Sequence, residues 1–240
     1  MTVLPRQENG RRARRILGLL CRAALFLAGL KPRIAGKEFL AEAARHAEAG
    51  WPLVVVSNHA SYLDVLVVAA VIPAPVCFVS KNEAAAWPLV GTFILKCGYL
   101  TVSRQDTSHA AADSQGIAKK LQSGETVHVF PEGTFTRHNG LRPFQMGAFK
   151  SAVASGCPVL PVTLIGTRNV LRDGSWLPRF GRIRVAASPV IRPTGDSWSD
   201  MVRIRDSVRA EILKTCGEGA FDALLAGVPK PEPDRSNACA

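Results

Sequence analysis

Several signatures are missing from this sequence, and each absence removes a class of protein. There is no apolar run of the roughly 20 residues that a membrane-spanning helix requires. The six cysteines (Cys21, Cys77, Cys97, Cys157, Cys216 and Cys239) form no C-x-x-C pair and lie mostly in apolar runs. They read as reduced core or tail residues of a cytosolic chain, not as a disulfide framework. The five histidines show no H-E-x-x-H or comparable spacing, so no metal site is expected. A G-x-S-x-G nucleophile elbow is also missing, which disfavours a hydrolase. The two tyrosines and four tryptophans are scattered, not interleaved with basic residues, and no DNA- or RNA-binding module is recognisable. The formal net charge of +11 therefore points to anionic lipid headgroups or phosphorylated substrates before nucleic acid.

What is present fits one domain with short appendages: 240 residues, 47% hydrophobic, with no internal repeat or interdomain linker. Residues 1–35 form a basic, then apolar, N-terminal segment, and residues 36–225 the domain proper. Residues 226–240, rich in proline and charge, are expected to be a disordered tail. In the first segment Arg11, Arg12, Arg14 and Arg15 precede an apolar stretch, Ile16 to Leu30, that is 15 residues long and interrupted by Arg22. This stretch suits a helix lying in a membrane interface with its arginines on anionic headgroups, and it also suits a helix packed on the core. A secretory signal fits badly, because Arg22 breaks the apolar region and Leu20 is too large to precede a lipoprotein cysteine. Arg14-Arg15 makes only a faint twin-arginine signal.

From residue 36 onward, short apolar runs alternate with longer helical patterns. Strands are predicted at Leu53 to Val56, Val76 to Ser80, Tyr99 to Val102, Thr126 to Phe130 and Val159 to Ile165, with Arg182 to Ala187 as a half-exposed or edge strand. Helices are predicted at 36–50, from Val65 to Ile72, through Leu95, from a cap at Asp106 or Thr107 to Leu121, from Phe144 to Ala154, and from Asp196 to Lys214. The alternation predicts an α/β fold: a single domain with a largely parallel or mixed sheet flanked by helices, plus an N-terminal membrane-associating helix.

The most informative stretch is Ser57-Asn58-His59-Ala60-Ser61-Tyr62-Leu63-Asp64, which joins the first strand to the helix after it. Residues five apart on one helix point about 140° away from each other, so His59 and Asp64 meet only if His59 lies in the loop. Ser61 is placed to cap the helix, with Asp64 in its first turn reaching back to His59. A carboxylate on one imidazole nitrogen fixes the tautomer and leaves the other to take a proton from a hydroxyl, the base-plus-orienter arrangement of acyl-transfer enzymes.

Polar groups recur where the other strands end. Lys81 follows the second strand, Arg104 the third, and Glu132-Gly133-Thr134 the fourth. Singly, each is an ordinary turn or a solvated strand edge. Together they would make a phosphate pocket beside a histidine base, with Arg104 as a bidentate fork, Gly133 allowing close backbone approach and Thr134 offering a hydroxyl.

These stretches resemble the glycerolipid acyltransferases of the 1-acylglycerol-3-phosphate acyltransferase type. Asn58 to Asp64 matches the family's N-H-x-x-x-x-D motif, Gly98 to Arg104 is similar to its second motif, Phe130 to Thr134 to its third and Leu160 to Thr163 to its fourth. Lys81-Asn82-Glu83 falls where the family commonly has K-x-E, and the resemblance runs from about residue 36 to 190. It implies catalysis by His59 and Asp64, and an acceptor site from Arg104, Glu132, Gly133, Thr134, Lys81 and Arg137. The fourth motif, a proline-containing strand, is linked by the resemblance to acyl binding. Phe135 and Gln145-Met146 stand where the family often has basic residues, with Arg137 and Arg142 as possible substitutes, which leaves the acceptor headgroup open.

The implied reaction is acyl transfer from acyl-CoA or acyl-carrier protein to the hydroxyl of a lysophospholipid, without metal or other cofactor. Its implied place is the membrane surface, peripheral on the cytoplasmic face. Amides at the start of the helix after His59 are expected to stabilise the thioester oxyanion. Another lysolipid acceptor (an aminolipid, or lysophosphatidyl-choline or -ethanolamine) and a non-catalytic lipid-binding adaptor are the competing readings.

Overall fold

Leu53, Val54, Val55 and Val56 are all fully buried. Leu53 and Val55 enter one apolar cluster, Val54 and Val56 another, because successive side chains of a strand point to opposite faces. A strand that is apolar at every position needs helices on both faces of its sheet, and that is the architecture found.

The computed structural model describes residues 4–86, 88–102, 110–134, 140–175 and 177–221. Its first half runs α1 (Leu4–Leu27), β1 (Arg33–Ala35), α2 (Lys37–Ala49), β2 (Leu53–Ser57), α3 (Leu63–Val71), β3 (Cys77–Lys81), α4 (Asn82–Ala85), α5 (Pro88–Cys97) and β4 (Leu100–Val102). There follow α6 (Ala110–Gln122), β5 (Thr126–Val129), α7 (Gly147–Ala154), β6 (Val159–Ile165), α8 (Thr167–Val170), β7 (Arg184–Ala187) and α9 (Trp198–Cys216). The described strands form one sheet in the order β1-β7-β6-β2-β5-β3-β4. From β6 to β4 neighbours are parallel, β7 is antiparallel to β6, and β1 is parallel to β7, so the sheet is mixed. Cysteines 21, 77, 97, 157 and 216 are buried and free.

Of the two readings of Arg182 to Ala187, half-exposed or edge, the structure gives the first: β7 alternates exposed or half-buried residues with buried ones but is interior, because Arg33–Ala35 pairs outside it. Three residues are too few to show a period, which is why β1 is not legible in the sequence, and the sheet accordingly starts before residue 36. Pro161 sits within β6 beside the end of β7, where its carbonyl accepts from Ser188 N–H (3.0 Å), so its missing N–H breaks no internal ladder.

The arginines before the apolar stretch lie within α1, and two of them bind protein, as a helix packed on the core requires. Arg14 is buried, donating to Glu125 Oε2 (2.7 Å) and to Cys97 O (3.1 Å) at the end of α5. Arg11 donates to Ser123 O and Gly124 O just past α6. Arg22, within the apolar stretch, donates to Ala70 O near the end of α3. The last carbonyls of a helix lack intrahelical donors and carry the negative end of its dipole, so α1 is pinned by arginines serving three helix ends. Gly18 lets it approach, since a Cβ there would lie 2.8 Å from Ala69 O. No described helix is long and apolar enough to cross a membrane.

Candidate active site

Because β2, β5, β3 and β4 are parallel, their C-terminal ends lie along one edge of the sheet, which puts the turn after β2 next to the turn after β5. Asn58 secures the first turn by acting as a substitute peptide group. Its side-chain N–H donates to Leu164 O (2.9 Å) and its Oδ1 accepts from Leu164 N–H (2.8 Å), so the turn is tied to β6.

Asp64, fully buried, closes the turn. Its Oδ2 accepts from His59 Nδ1–H (2.9 Å), Ala60 N–H (2.6 Å) and Ser61 N–H (2.8 Å). A carboxylate only accepts, so the imidazole proton sits on Nδ1 and Nε2 carries the lone pair. The capping box is thus half as expected. Asp64 does grip the Ser61 amide, but Ser61 Oγ accepts from Leu63 N–H and donates to Leu171 O (2.7 Å). Ser57 Oγ bonds His128 Nε2 (3.0 Å). Both serine hydroxyls of the turn therefore have other work.

The His59 ring stacks on Phe130, with centroids 3.9 Å apart and planes 15° apart. Beneath Phe130 lies His128, edge-on at 4.4 Å and fully buried. Burial, with His59 nearby, pushes His128 down to about 3, so it is a neutral packing residue.

Glu132, expected at the acceptor site, accepts two backbone amides. Its Oε1 accepts from His59 N–H (2.7 Å) and its Oε2 from Arg142 N–H (3.0 Å). The carboxylate thus positions the histidine turn from the neighbouring strand end. Burial pushes it up to about 7, against the lowering pull of the two amides. Gly133 has φ 81, a left-handed conformation that turns the chain after Glu132 and that glycine adopts at no steric cost. Thr134 follows it, half-buried.

Lys81 is the last residue of β3, on the same sheet edge but separated from β2 by β5. Arg104, Arg137, the Asp106/Thr107 cap, Cys239 and the tail 226–240 lie outside the described residues. Leu160 and Val162 of the fourth motif are fully buried in the core. Five amides near the expected oxyanion donors are engaged: those of His59, Ala60 and Ser61 bond carboxylates, those of Leu63 and Asp64 bond Ser61. Among the described residues no group of three or more His, Cys, Asp or Glu side chains is placed to hold a metal ion.

Two charged residues escaped the sequence reading. Arg168 and Glu218 line the same small cleft as His59 and Glu132, paired with each other at 3.2 Å. Arg168 comes just after β6, so the rule that picked out Arg104 at a strand end would have found it. Glu218 carries no local signal, since it follows the last helix.

A histidine held by a buried carboxylate thus stands at the carboxyl edge of a mixed α/β sheet, an arrangement suited to general-base chemistry on a hydroxyl. The comparisons specify the family. The model described as Acyltransferase matches residues 32–165, and the chain belongs to that family. It is 30% identical over 217 residues to the 1-acyl-sn-glycerol-3-phosphate acyltransferase alpha of Mus musculus, covering 89% of this chain and 73% of that one. It is 35% identical over 122 residues to the lyso-ornithine lipid O-acyltransferase of Pseudomonas aeruginosa, covering 51% of this chain and 46% of that one. In fold it is similar to the crystal structure of the 1-acyl-sn-glycerophosphate acyltransferase of Thermotoga maritima, with a TM-score of 0.66 at 23% identity over 92% of this chain and 81% of that one.

Proposed function

We propose that this acyltransferase moves a fatty acyl chain from acyl-CoA or acyl-carrier protein to the free hydroxyl of 1-acylglycerol-3-phosphate, forming phosphatidic acid in phospholipid biosynthesis. The observation that carries this is the His59–Asp64 pair, whose proton placement leaves Nε2 as the base while both serine hydroxyls of the turn are bonded elsewhere. The nucleophile is then the acceptor itself. His59 Nε2 takes the hydroxyl proton as the oxygen attacks the thioester carbonyl. The C–S bond breaks, and the thiolate leaves with a proton returned by the imidazolium. No acyl-enzyme is formed. Asp64 stabilises the imidazolium, and Glu132 holds the backbone of the turn. Arg104, Arg137, Thr134 and Lys81 are proposed for the acceptor phosphate.

The enzyme is proposed to act as a peripheral protein on the cytoplasmic face of the cell membrane. Ile16, Leu19, Leu20, Phe26 and Leu27 are exposed on one face of α1, at positions i, i+3, i+4, i+10 and i+11, and Tyr62, Val65 and Leu66 are exposed at the start of α3. Arg12 and Arg15, exposed on α1, would meet anionic headgroups. A second acceptor class, aminolipids, is favoured by the lyso-ornithine lipid relative.

The test is transfer of a labelled acyl chain from both donors to lysophosphatidic acid, lyso-ornithine lipid and other lysolipids, with wild type and His59→Ala. Loss of the general base should cost ~10²–10⁴-fold in rate, and the best acceptor identifies the headgroup. No transfer to any acceptor, with lipid binding intact in both proteins, would instead mark a non-catalytic adaptor.

A further inference from the structure

The residues after α9 lie beyond the matched family region, yet they reach the catalytic turn. Gly217 (φ 72) ends the helix and turns the chain back. Leu141 N–H then donates to Gly219 O (2.9 Å), Phe221 N–H donates to Leu141 O (3.0 Å), and Leu141 and Ala220 form a parallel bridge. The Arg142 guanidinium lies over the Phe221 ring at 5.6 Å. Glu218 anchors the arrangement, accepting from Gly140 N–H (2.8 Å) and from Arg168 at 3.2 and 3.4 Å. The loop held in this way presents Arg142 N–H to Glu132 Oε2, and the other oxygen of Glu132 takes His59 N–H. A continuous chain of hydrogen bonds and short backbone links therefore runs from Glu218 to the backbone of His59.

We propose that residues 217–221 are a positioning strap for the catalytic histidine, anchored by Glu218. The inference rests on the acyl-transfer reading of His59. Without Glu218, Gly140 N–H loses its acceptor and Arg168 keeps Glu132 as the remaining carboxylate of the cleft. Glu132 is then drawn from the two amides, and the His59 turn loses its hold from β5. Displacements of about 1 Å at a catalytic group cost on the order of 10²-fold in rate. Substrate affinity has no comparable dependence, because the strap acts through Glu132 and not on the substrate.

The test combines amide hydrogen exchange without substrate and steady-state kinetics, on wild type, Glu218→Ala, Glu218→Gln and Phe221→Ala. In Glu218→Ala the His59 and Arg142 amides should exchange about tenfold faster or more while Val55 in β2 stays protected. Its kcat should fall about tenfold or more with KM values for donor and acceptor within about twofold, the pattern of lost positioning. Glu218→Gln keeps an oxygen for Gly140 N–H and should recover most of the loss. Should Glu218→Ala fail to fold, Phe221→Ala, which removes only the ring under Arg142, is expected to show the same pattern in smaller measure. Unchanged exchange at His59 and Arg142 in the variants that fold would overturn the proposal, as would a raised KM with kcat intact, which would make Glu218 a substrate contact. Absence of transfer by wild type would refute the acyl-transfer reading separately, and the exchange data would still decide the strap.

Discussion

Asp64→Asn separates two contributions of the carboxylate proposed to serve the histidine base, orientation and charge. All three donors converge on Oδ2, and among the described residues Oδ1 has no hydrogen-bond partner. An asparagine therefore fits in one way, with its carbonyl oxygen at Oδ2 and its NH₂ at Oδ1. The Nδ1–H tautomer survives, and only the negative charge facing the imidazolium is lost. Hydrogen bonds to charged groups contribute about 1.5–3 kcal/mol and neutral ones about 0.5–1.5, and loss of the buried charge adds to that difference. The expected fall in kcat is about 10- to 100-fold, against about 10⁴ where such a change flips the histidine tautomer. The buried NH₂ without an acceptor should lower stability by about 1–3 kcal/mol. Asp64→Ala leaves three donors without an acceptor and should be worse in both respects. Labelled acyl transfer at saturating substrate and urea unfolding read the two effects. An Asn variant as inactive as the Ala variant would refute the argument that Oδ2 alone sets the tautomer, and a fully active one would refute a role for the charge.

Glu132, held at about 7 when folded against an ordinary 4.5, binds a proton between those values that the unfolded chain has released. Stability from this group is present below about pH 4.5, declines up to about pH 7 and then levels off, by about 3 kcal/mol at most. Urea unfolding of Glu132→Gln across that window should lack this decline, and identical pH profiles would refute the assignment. Arg14→Ala removes the nearer cation from buried Glu125, which keeps Lys120 at 3.3 Å, and should cost about 1.5–3 kcal/mol, whereas Arg14→Met with Glu125→Leu should be milder; equal losses in unfolding experiments would sink that reading. Gly18→Ala should stabilise a helix interior by about 1 kcal/mol on propensity alone. Contact with Ala69 O at 2.8 Å predicts destabilisation instead, and a rise in melting temperature would show that α1 does not pack as described.

The legible parts of this protein are those whose signal is local. The all-apolar Leu53 to Val56 announced a strand buried on both faces, and the five-position separation of His59 and Asp64 required a loop histidine and a helix-start aspartate, as found. Strand ends carrying Lys81 and Glu132 do share one edge, because a parallel sheet aligns the ends of its strands. The illegible parts depend on residues distant in sequence. Glu132 grips His59 from 73 positions away, and Arg14 turns inward to Glu125 from 111 positions away. Composition registers the charge of such arginines but not the helix-end carbonyls that Arg11, Arg14 and Arg22 serve.

By itself, then, the sequence determined the alternation of strands and helices and the meeting of His59 with Asp64, and its motifs carried the resemblance to the family. The first two follow from spacing along the backbone, which geometry converts directly into proximity. Only the tertiary structure decided which carboxylate is base-orienting and which is turn-holding, that β1 closes the sheet edge, and that the residues after α9 reach the active site. These depend on which distant backbone amides are left without partners when the sheet assembles, and buried amides must be satisfied by whatever acceptor the fold brings to them.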